Sequence, residues 1–179
     1  MRLAASHLHV VGEACELAAV HYFSAVPHHL RATHPQALLD HQTHLRALTA
    51  LRPRCRVHLG HFQPRRGLEG RLWQEKGTDM AIAAEAIRTC QDNPGAALVI
   101  ASGDSDFAPL VLLIKERWPG VDLRFAFPAH RASRRLRKLC PGSFGLGIDS
   151  YASARLPNRI RLPSGKFIQC PDAWNDGGS

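Results

Sequence analysis

Short apolar runs alternate with amphipathic segments along most of this chain, and that alternation constrains the fold more than any other feature. The apolar runs that predict strands lie at residues 17–26, 56–62, 96–101, 121–127 and 144–148. The segments with helical spacing lie at residues 35–51, 78–90, 107–118 and 131–139. Strands that alternate with helices indicate parallel βαβ units. We therefore predict an α/β fold, a three-layer α/β/α sandwich around a mainly parallel sheet.

Three further features set the expected boundaries. The stretch 63–75 is rich in glycine and arginine and predicts a loop. The run 96–101 is short and wholly apolar, which is typical of a strand buried on both faces. Prolines at 157, 163 and 171 predict an irregular tail. We expect one domain over residues 1–149, followed by an irregular tail over residues 150–179.

The charge of the chain favours a polyanionic partner. Its 23 Lys and Arg against 15 Asp and Glu give a formal charge of +8, and nucleic acid is the commonest polyanion. The alternative is a solvated basic surface without such a partner. Five scattered cysteines without a CxxC pair argue against a zinc knuckle or a disulfide framework, so we expect reduced thiols and a cytoplasmic protein. No apolar run reaches membrane-spanning length, so no membrane partner is expected.

Three acids lie where chemistry is expected in such a fold. Asp104 and Asp106 follow the strand at 96–101, and Asp79 opens the helix that precedes this strand. Ligands bind open α/β sheets outside the carboxyl ends of the strands. Carboxylates gathered there repel one another unless a cation relieves the repulsion, and Mg²⁺ or Mn²⁺ suits oxygen ligands. Taken alone, each acid is more often structural than a ligand: Asp79 and Asp106 as helix caps, and Asp104 as a turn residue beside Gly103.

The same residues carry a resemblance to a known family. Lys76-Gly77-Thr78-Asp79 and the run from Leu98 through Ser102-Gly103-Asp104-Ser105-Asp106-Phe107 to Leu110 resemble the central signature of NYN domains, of the LabA-like branch of the PIN-like ribonuclease superfamily. The segment from His21 to Ala25 and the ending from Leu156 to Trp174 are similar to the same family. The resemblance covers nearly the whole chain.

Membership would imply a PIN-like, Rossmann-like sandwich that cuts RNA with Mg²⁺ or Mn²⁺ held by an acidic cluster. The resemblance maps Asp79, Asp104 and Asp106 onto the catalytic and metal-binding acids. It places Ser102 and Ser105 beside them as substrate-binding residues. Lys76 is expected to contact phosphate. The alternative interpretation is that Lys76 is a solvated lysine in a loop.

The chain departs from the family pattern at its N-terminus. Family members open with a central strand that carries a DxxN pattern, and this chain has no Asp before Asp40. Either the natural start lies upstream of Met1, or a short form closes the gap with rearranged strands or a partner, including another copy of the chain. The fourth family acid is therefore missing. Two hypotheses stay open: a metal-dependent ribonuclease, or a catalytically impaired module that binds RNA or regulates.

Overall fold

The computed structural model describes residues 2–12, 15–50, 54–67, 70–162 and 164–174. The chain forms two compact units. Unit 1 comprises Leu17–Ala81 and Leu156–Ser179, and unit 2 comprises Arg2–Glu16 and Ile82–Arg155. A single domain over residues 1–149 stays a prediction.

Helices and strands alternate through the described residues. The helices are α1 (Arg2–Ser6), α2 (Leu8–Val11), α3 (Pro35–Ala50), α4 (Thr78–Asp92), α5 (Ala108–Arg117), α6 (Arg134–Leu139) and α7 (Ile148–Ser153). The strands are β1 (Val20–Ala25), β2 (Cys55–Gly67), β3 (Gly70–Lys76), β4 (Ala97–Ile100), β5 (Asp122–Phe127), β6 (Phe144–Gly145), β7 (Arg159–Arg161) and β8 (Phe167–Gln169). Short 3₁₀ turns lie at His28–Arg31, Ser105–Phe107 and Asp172–Trp174.

Helix α3 supplies the apolar face of unit 1. Leu38, Leu45 and Leu48 are buried, and their spacing of seven and three residues places them on one side of the helix. Strand β1 runs parallel to β2, with Val20 opposite Cys55 and Ala25 opposite Gly60. The predicted strand and helix are therefore confirmed in this part of the chain, with ends shifted by a few residues at most.

The predicted loop over residues 63–75 is wrong. Strand β2 continues past Phe62 to Gly67 and pairs antiparallel with β3, from His61 opposite Lys76 to Gly67 opposite Gly70. We call this pair the basic hairpin. The described side chains beyond Phe62 are exposed, so the hairpin needs no alternating apolar face and gives no strand-like pattern in the sequence. Proline and arginine are tolerated there because β1 pairs with β2 only as far as Gly60.

Unit 2 is built on a second sheet of three parallel strands, in the order β4, β5, β6. Its core contains side chains with no solvent exposure, among them Val111 and Ile114 on α5, Phe125 on β5 and Leu136 on α6. Parallel pairing within an α/β chain is thus confirmed. The three-layer sandwich stays a prediction, because the described strands form small sheets rather than one large one.

Two predictions are wrong, one for the burial of β4 and one for the C-terminal tail. Strand β4 is not buried on both faces: Ile100 is buried, but Val99 is 39% exposed, because β4 pairs only with β5 among the described residues. The tail is not irregular either. Helix α7 continues to Ser153, and β7 pairs antiparallel with β8, with Ile160 opposite Ile168. The prolines lie outside these strands, so they do not interrupt the pairing.

None of the helices in the described residues combines the length and the apolar character needed to cross a membrane.

A half-buried histidine makes the stability of unit 1 depend on pH. The ring of His44 contacts Tyr22 and Trp174 edge-on, at centroid distances of 5.7 and 5.6 Å. Burial, followed by repulsion from His41, lowers the pKa of His44 below its ordinary value. As the pH falls below about 6.5, the unfolded chain therefore takes up the proton before the folded chain does.

We expect unit 1 to lose stability as the pH falls from about 7 toward the lowered pKa of His44. His44→Gln should flatten this dependence in urea unfolding followed between pH 7 and pH 5. His34→Gln, which removes an exposed imidazole outside this aromatic contact, is the matched control. A His44→Gln protein whose stability still falls as steeply as that of the wild type would contradict this account.

Candidate active site

The turn after β4 presents two carboxylates and two hydroxyls within five residues. The Asp104 N–H donates to Ser102 Oγ at 3.1 Å, and the Asp106 N–H donates to Asp104 Oδ1 at 2.9 Å. Asp104 thus caps the 3₁₀ turn that leads into α5, whereas the sequence alternative expected Asp106 as the cap of the next helix. Capping does not exclude ligation, because a carboxylate offers about four lone-pair positions and this cap uses one.

The side chains of this turn point outward while its end is buried. Asp104, Ser105 and Asp106 are exposed, and Ser102 is half-buried. Phe107 and Ala108, which follow directly, are 4% and 0% exposed and belong to the core of unit 2. The packed end fixes the backbone, so the acids are held by a rigid element rather than by a free loop.

Glycine at 103 allows this turn to approach the loop after β5. A Cβ atom on Gly103 would lie 1.7 Å from the carbonyl oxygen of Arg131, a separation that no real side chain tolerates. The facing loop is itself tight: the Arg131 N–H donates to Pro128 O at 2.9 Å, and His130 has a φ of 61°. A non-glycine residue in this left-handed region costs free energy, and such strain clusters at functional sites.

Positively charged side chains lie beside the contact between Gly103 and the Arg131 carbonyl. Exposed basic side chains follow in the loop and on α6, at Arg131, Arg134, Arg135, Arg137 and Lys138. Helix α6 begins later than the predicted residue 131, because Ser133 caps it by accepting the Leu136 N–H at 3.3 Å. Buried Leu136 fixes the helix to the core of unit 2. The carboxylate turn and a cluster of cations therefore belong to the same unit.

Asp79 and Lys76 lie in unit 1, on either side of Gly77. Gly77 has a φ of 90°, which permits the sharp change from β3 to α4. Thr78 Oγ1 donates to Glu75 Oε1, and Asp79 is exposed in the first turn of α4. The structure thus brings Asp104 and Asp106 together in unit 2. The convergence of Asp79 with them stays a prediction.

Sequence reasoning missed a pair of histidines in unit 1. His21 Nδ1 and His58 Nε2 are 3.0 Å apart, and the rings stack at a centroid distance of 5.1 Å. The parallel register of β1 and β2, which sets Phe23 opposite His58, brings them together. The signal in the sequence is one histidine in each of the two predicted strands, and only the register of the folded strands shows that the rings meet. Imidazole nitrogens suit zinc-like ions, so the pair does not supply the oxygen ligands expected for Mg²⁺.

Three of the five cysteines are buried and do not offer a nucleophile. Cys55, Cys90 and Cys140 are buried free thiols, and burial raises the pKa of each thiol above its ordinary value. The thiolate is the reactive form, so these residues act as small apolar side chains. Covalent chemistry through these three buried cysteines is therefore not favoured.

Comparison with known proteins gives one informative match. A family model for the NYN domain matches residues 21–145 of the 179. No curated protein matches the chain. A solved structure from Vibrio parahaemolyticus RIMD 2210633, titled as a protein of unknown function, is 12% identical. The match covers 76% of this chain and 98% of that one, with a TM-score of 0.36. No conclusion rests on that structural similarity.

We expect Gly103→Ala to displace the turn, because the added methyl group has no room against the Arg131 carbonyl. The free energy of unfolding should fall by about 1–3 kcal/mol, and the amide resonances of residues 102–106 should shift. Gly147→Ala is the matched control, since nothing lies within 4 Å of its added Cβ and its φ is −72°. Equal urea-unfolding curves for the two variants would contradict the tight approach.

Proposed function

Because this chain belongs to the NYN domain family, a family of PIN-like, nuclease-type domains, we propose that it is a divalent-metal-dependent ribonuclease. The proposed substrate is RNA, cut at phosphodiester bonds by an acidic site. The observation that carries the proposal is the turn at the carboxyl end of β4, where Asp104 and Asp106 stand exposed on a backbone fixed by the core. Ligand sites of α/β sheets lie at such ends.

The donor set of the turn fits a hard cation. Asp104 and Asp106 offer carboxylate oxygens, which Mg²⁺ and Mn²⁺ prefer, and we propose Asp79 as the third ligand. When bound, such an ion polarises a phosphoryl oxygen and promotes ionisation of an attacking water. Three carboxylates are enough to hold one such ion, since Mg²⁺ takes its remaining oxygen ligands from water and phosphate.

The remaining residues of the site bind and orient the substrate. Ser102 Oγ accepts the Asp104 N–H, so its own hydrogen remains to donate to a phosphate oxygen. Ser105 is exposed on the same turn, and Lys76 offers an ammonium group from the end of β3. Arg131 and the cations of α6 bind flanking phosphates without regard to base sequence. We further propose that the three-layer sandwich supports this arrangement.

A second candidate function is an RNA-binding or regulatory module with impaired catalysis. The observation that favours it is the group of exposed cations on α6 and in the loop before it. These cations bind phosphate whether or not a metal ion is held. The two candidates therefore share RNA binding and differ in metal-dependent cleavage.

Asp104→Asn should abolish cleavage while leaving the fold intact, because an amide still accepts the Asp106 N–H but holds a cation poorly. Loss of a group that merely supports a metal ligand lowers affinity or activity by about 10–100-fold, so loss of the ligand itself should cost at least about 100-fold. The measurement is the cleavage rate of labelled RNA with Mn²⁺ or Mg²⁺, with chelator, and after metal is restored.

Asp92→Asn is the matched control, because Asp92 is an exposed acid at the far end of α4. It should cleave at the wild-type rate. Equal cleavage by Asp104→Asn and the wild type would reject the proposed site. Salt-sensitive RNA binding without cleavage by any of these proteins would support the second candidate instead.

A further inference from the structure

Unit 1 contains an aromatic cleft that the acidic site does not use. The cleft has a volume of about 460 Å³ and is lined by the residue that follows β1, the 3₁₀ turn after it, and the basic hairpin. Five ring side chains line it, and three of these are in ring contact through His29: His29, Phe62 and Trp73. Phe62 and Trp73 share one face of the hairpin, because Phe62 lies two residues before Pro64, which pairs with Trp73. We refer to these three residues as the aromatic cleft.

Stacking holds the rings of the aromatic cleft together. The rings of His29 and Trp73 are nearly parallel, at 10° and a centroid distance of 4.7 Å, and Phe62 meets His29 edge-on at 4.8 Å. His29 Nδ1 is buried and has no hydrogen-bond partner among the described residues. Ring contacts rather than a hydrogen bond to this atom therefore fix the imidazole. Trp73 nevertheless remains 41% exposed.

The charge around the cleft indicates which class of ligand can bind there. The sequence from residue 54 to residue 76 contains six Lys or Arg against two acids, Glu69 and Glu75. Arg65, Arg66 and Lys76 are exposed. A ligand complementary to this surface has planar apolar groups joined by an anionic chain. Single-stranded nucleic acid has that chemistry, whereas an acidic peptide supplies the charge without the flat rings.

We propose that the aromatic cleft binds one unpaired base of single-stranded RNA, stacked against Trp73, while cations of the basic hairpin bind the neighbouring phosphates. The choice of RNA rests on the proposed function, and the inference adds a binding site for one base that lies outside the acidic turn. Stacking tolerates any base, because every base has a flat face. The cleft therefore adds affinity for unpaired RNA without selecting a sequence.

The test measures binding in chelator, where no metal-dependent cleavage occurs. Two fluorescent strands of equal length are used, one an oligoribonucleotide and the other carrying abasic sites in its middle. Fluorescence anisotropy gives their affinities for the wild type, Trp73→Ala, Trp73→Phe and Trp174→Ala. Trp174 is the matched control, because it belongs to unit 1, is 40% exposed and lies outside the cleft lining.

Trp73→Ala should weaken binding of the base-bearing strand by about tenfold and leave binding of the abasic strand unchanged. Trp73→Phe, which keeps a flat ring, should retain most of the affinity, and Trp174→Ala should behave as the wild type. Full affinity of Trp73→Ala for the base-bearing strand would overturn the inference. Equal losses for both strands would also overturn it, since they would point to misfolding of the hairpin or to lost charge contacts.

The outcome is separable from that of the ribonuclease proposal. Cleavage that depends on Asp104, combined with binding that does not depend on Trp73, would remove the inference and leave the enzyme. Binding that depends on Trp73 without any metal-dependent cleavage would support the inference and remove the enzyme. A wild-type chain that binds neither strand would overturn the inference directly.

Discussion

The candidate site depends on the close approach between the turn after β4 and the loop after β5. Gly103 has no side chain, and only for that reason does its backbone reach the Arg131 carbonyl. This contact, together with the buried Phe107 that follows, leaves the intervening acids little freedom. A ligand set that is already positioned binds an ion more tightly, because disordered carboxylates lose entropy on binding. The proposed metal site therefore needs both a rigid backbone and exposed carboxylates.

Most elements could be predicted from the sequence, because their apolar patterns reflect packing on a core. Helix α5 and strand β5 are examples. Ile114 and Phe125 are wholly buried, so the spacing of apolar residues predicted both elements. The basic hairpin could not be predicted in this way. Its described side chains beyond Phe62 face solvent. The two strands are held by backbone hydrogen bonds, which do not require any alternation of apolar residues in the sequence. Strand β4 shows the opposite error, since its apolar composition suggested two covered faces.

The site was predictable in part. The turn chemistry of Ser102-Gly103-Asp104 and the resemblance to NYN domains both pointed to the carboxyl end of β4, and the structure has Asp104 and Asp106 there in one turn. The sequence did not indicate that position 103 requires glycine, because the requirement comes from the carbonyl group of Arg131, 28 positions later in the chain. The pairing of His21 with His58 was hidden for a similar reason, since it arises from the register of two strands. Long-range contacts of this kind require the fold to be known.

The two units carry different parts of the proposed function. Unit 2 carries the acidic turn and the cations of α6, and unit 1 carries Asp79, the basic hairpin and the aromatic cleft. The most direct test of the central claim is paramagnetic broadening by Mn²⁺ in the amide spectrum of the ¹⁵N-labelled chain. We predict that the resonances of residues 102–106 broaden first, and that excess Mg²⁺ restores them. Broadening that instead begins at other exposed acids, such as Asp92 or Asp122, and spares this turn would contradict the metal site.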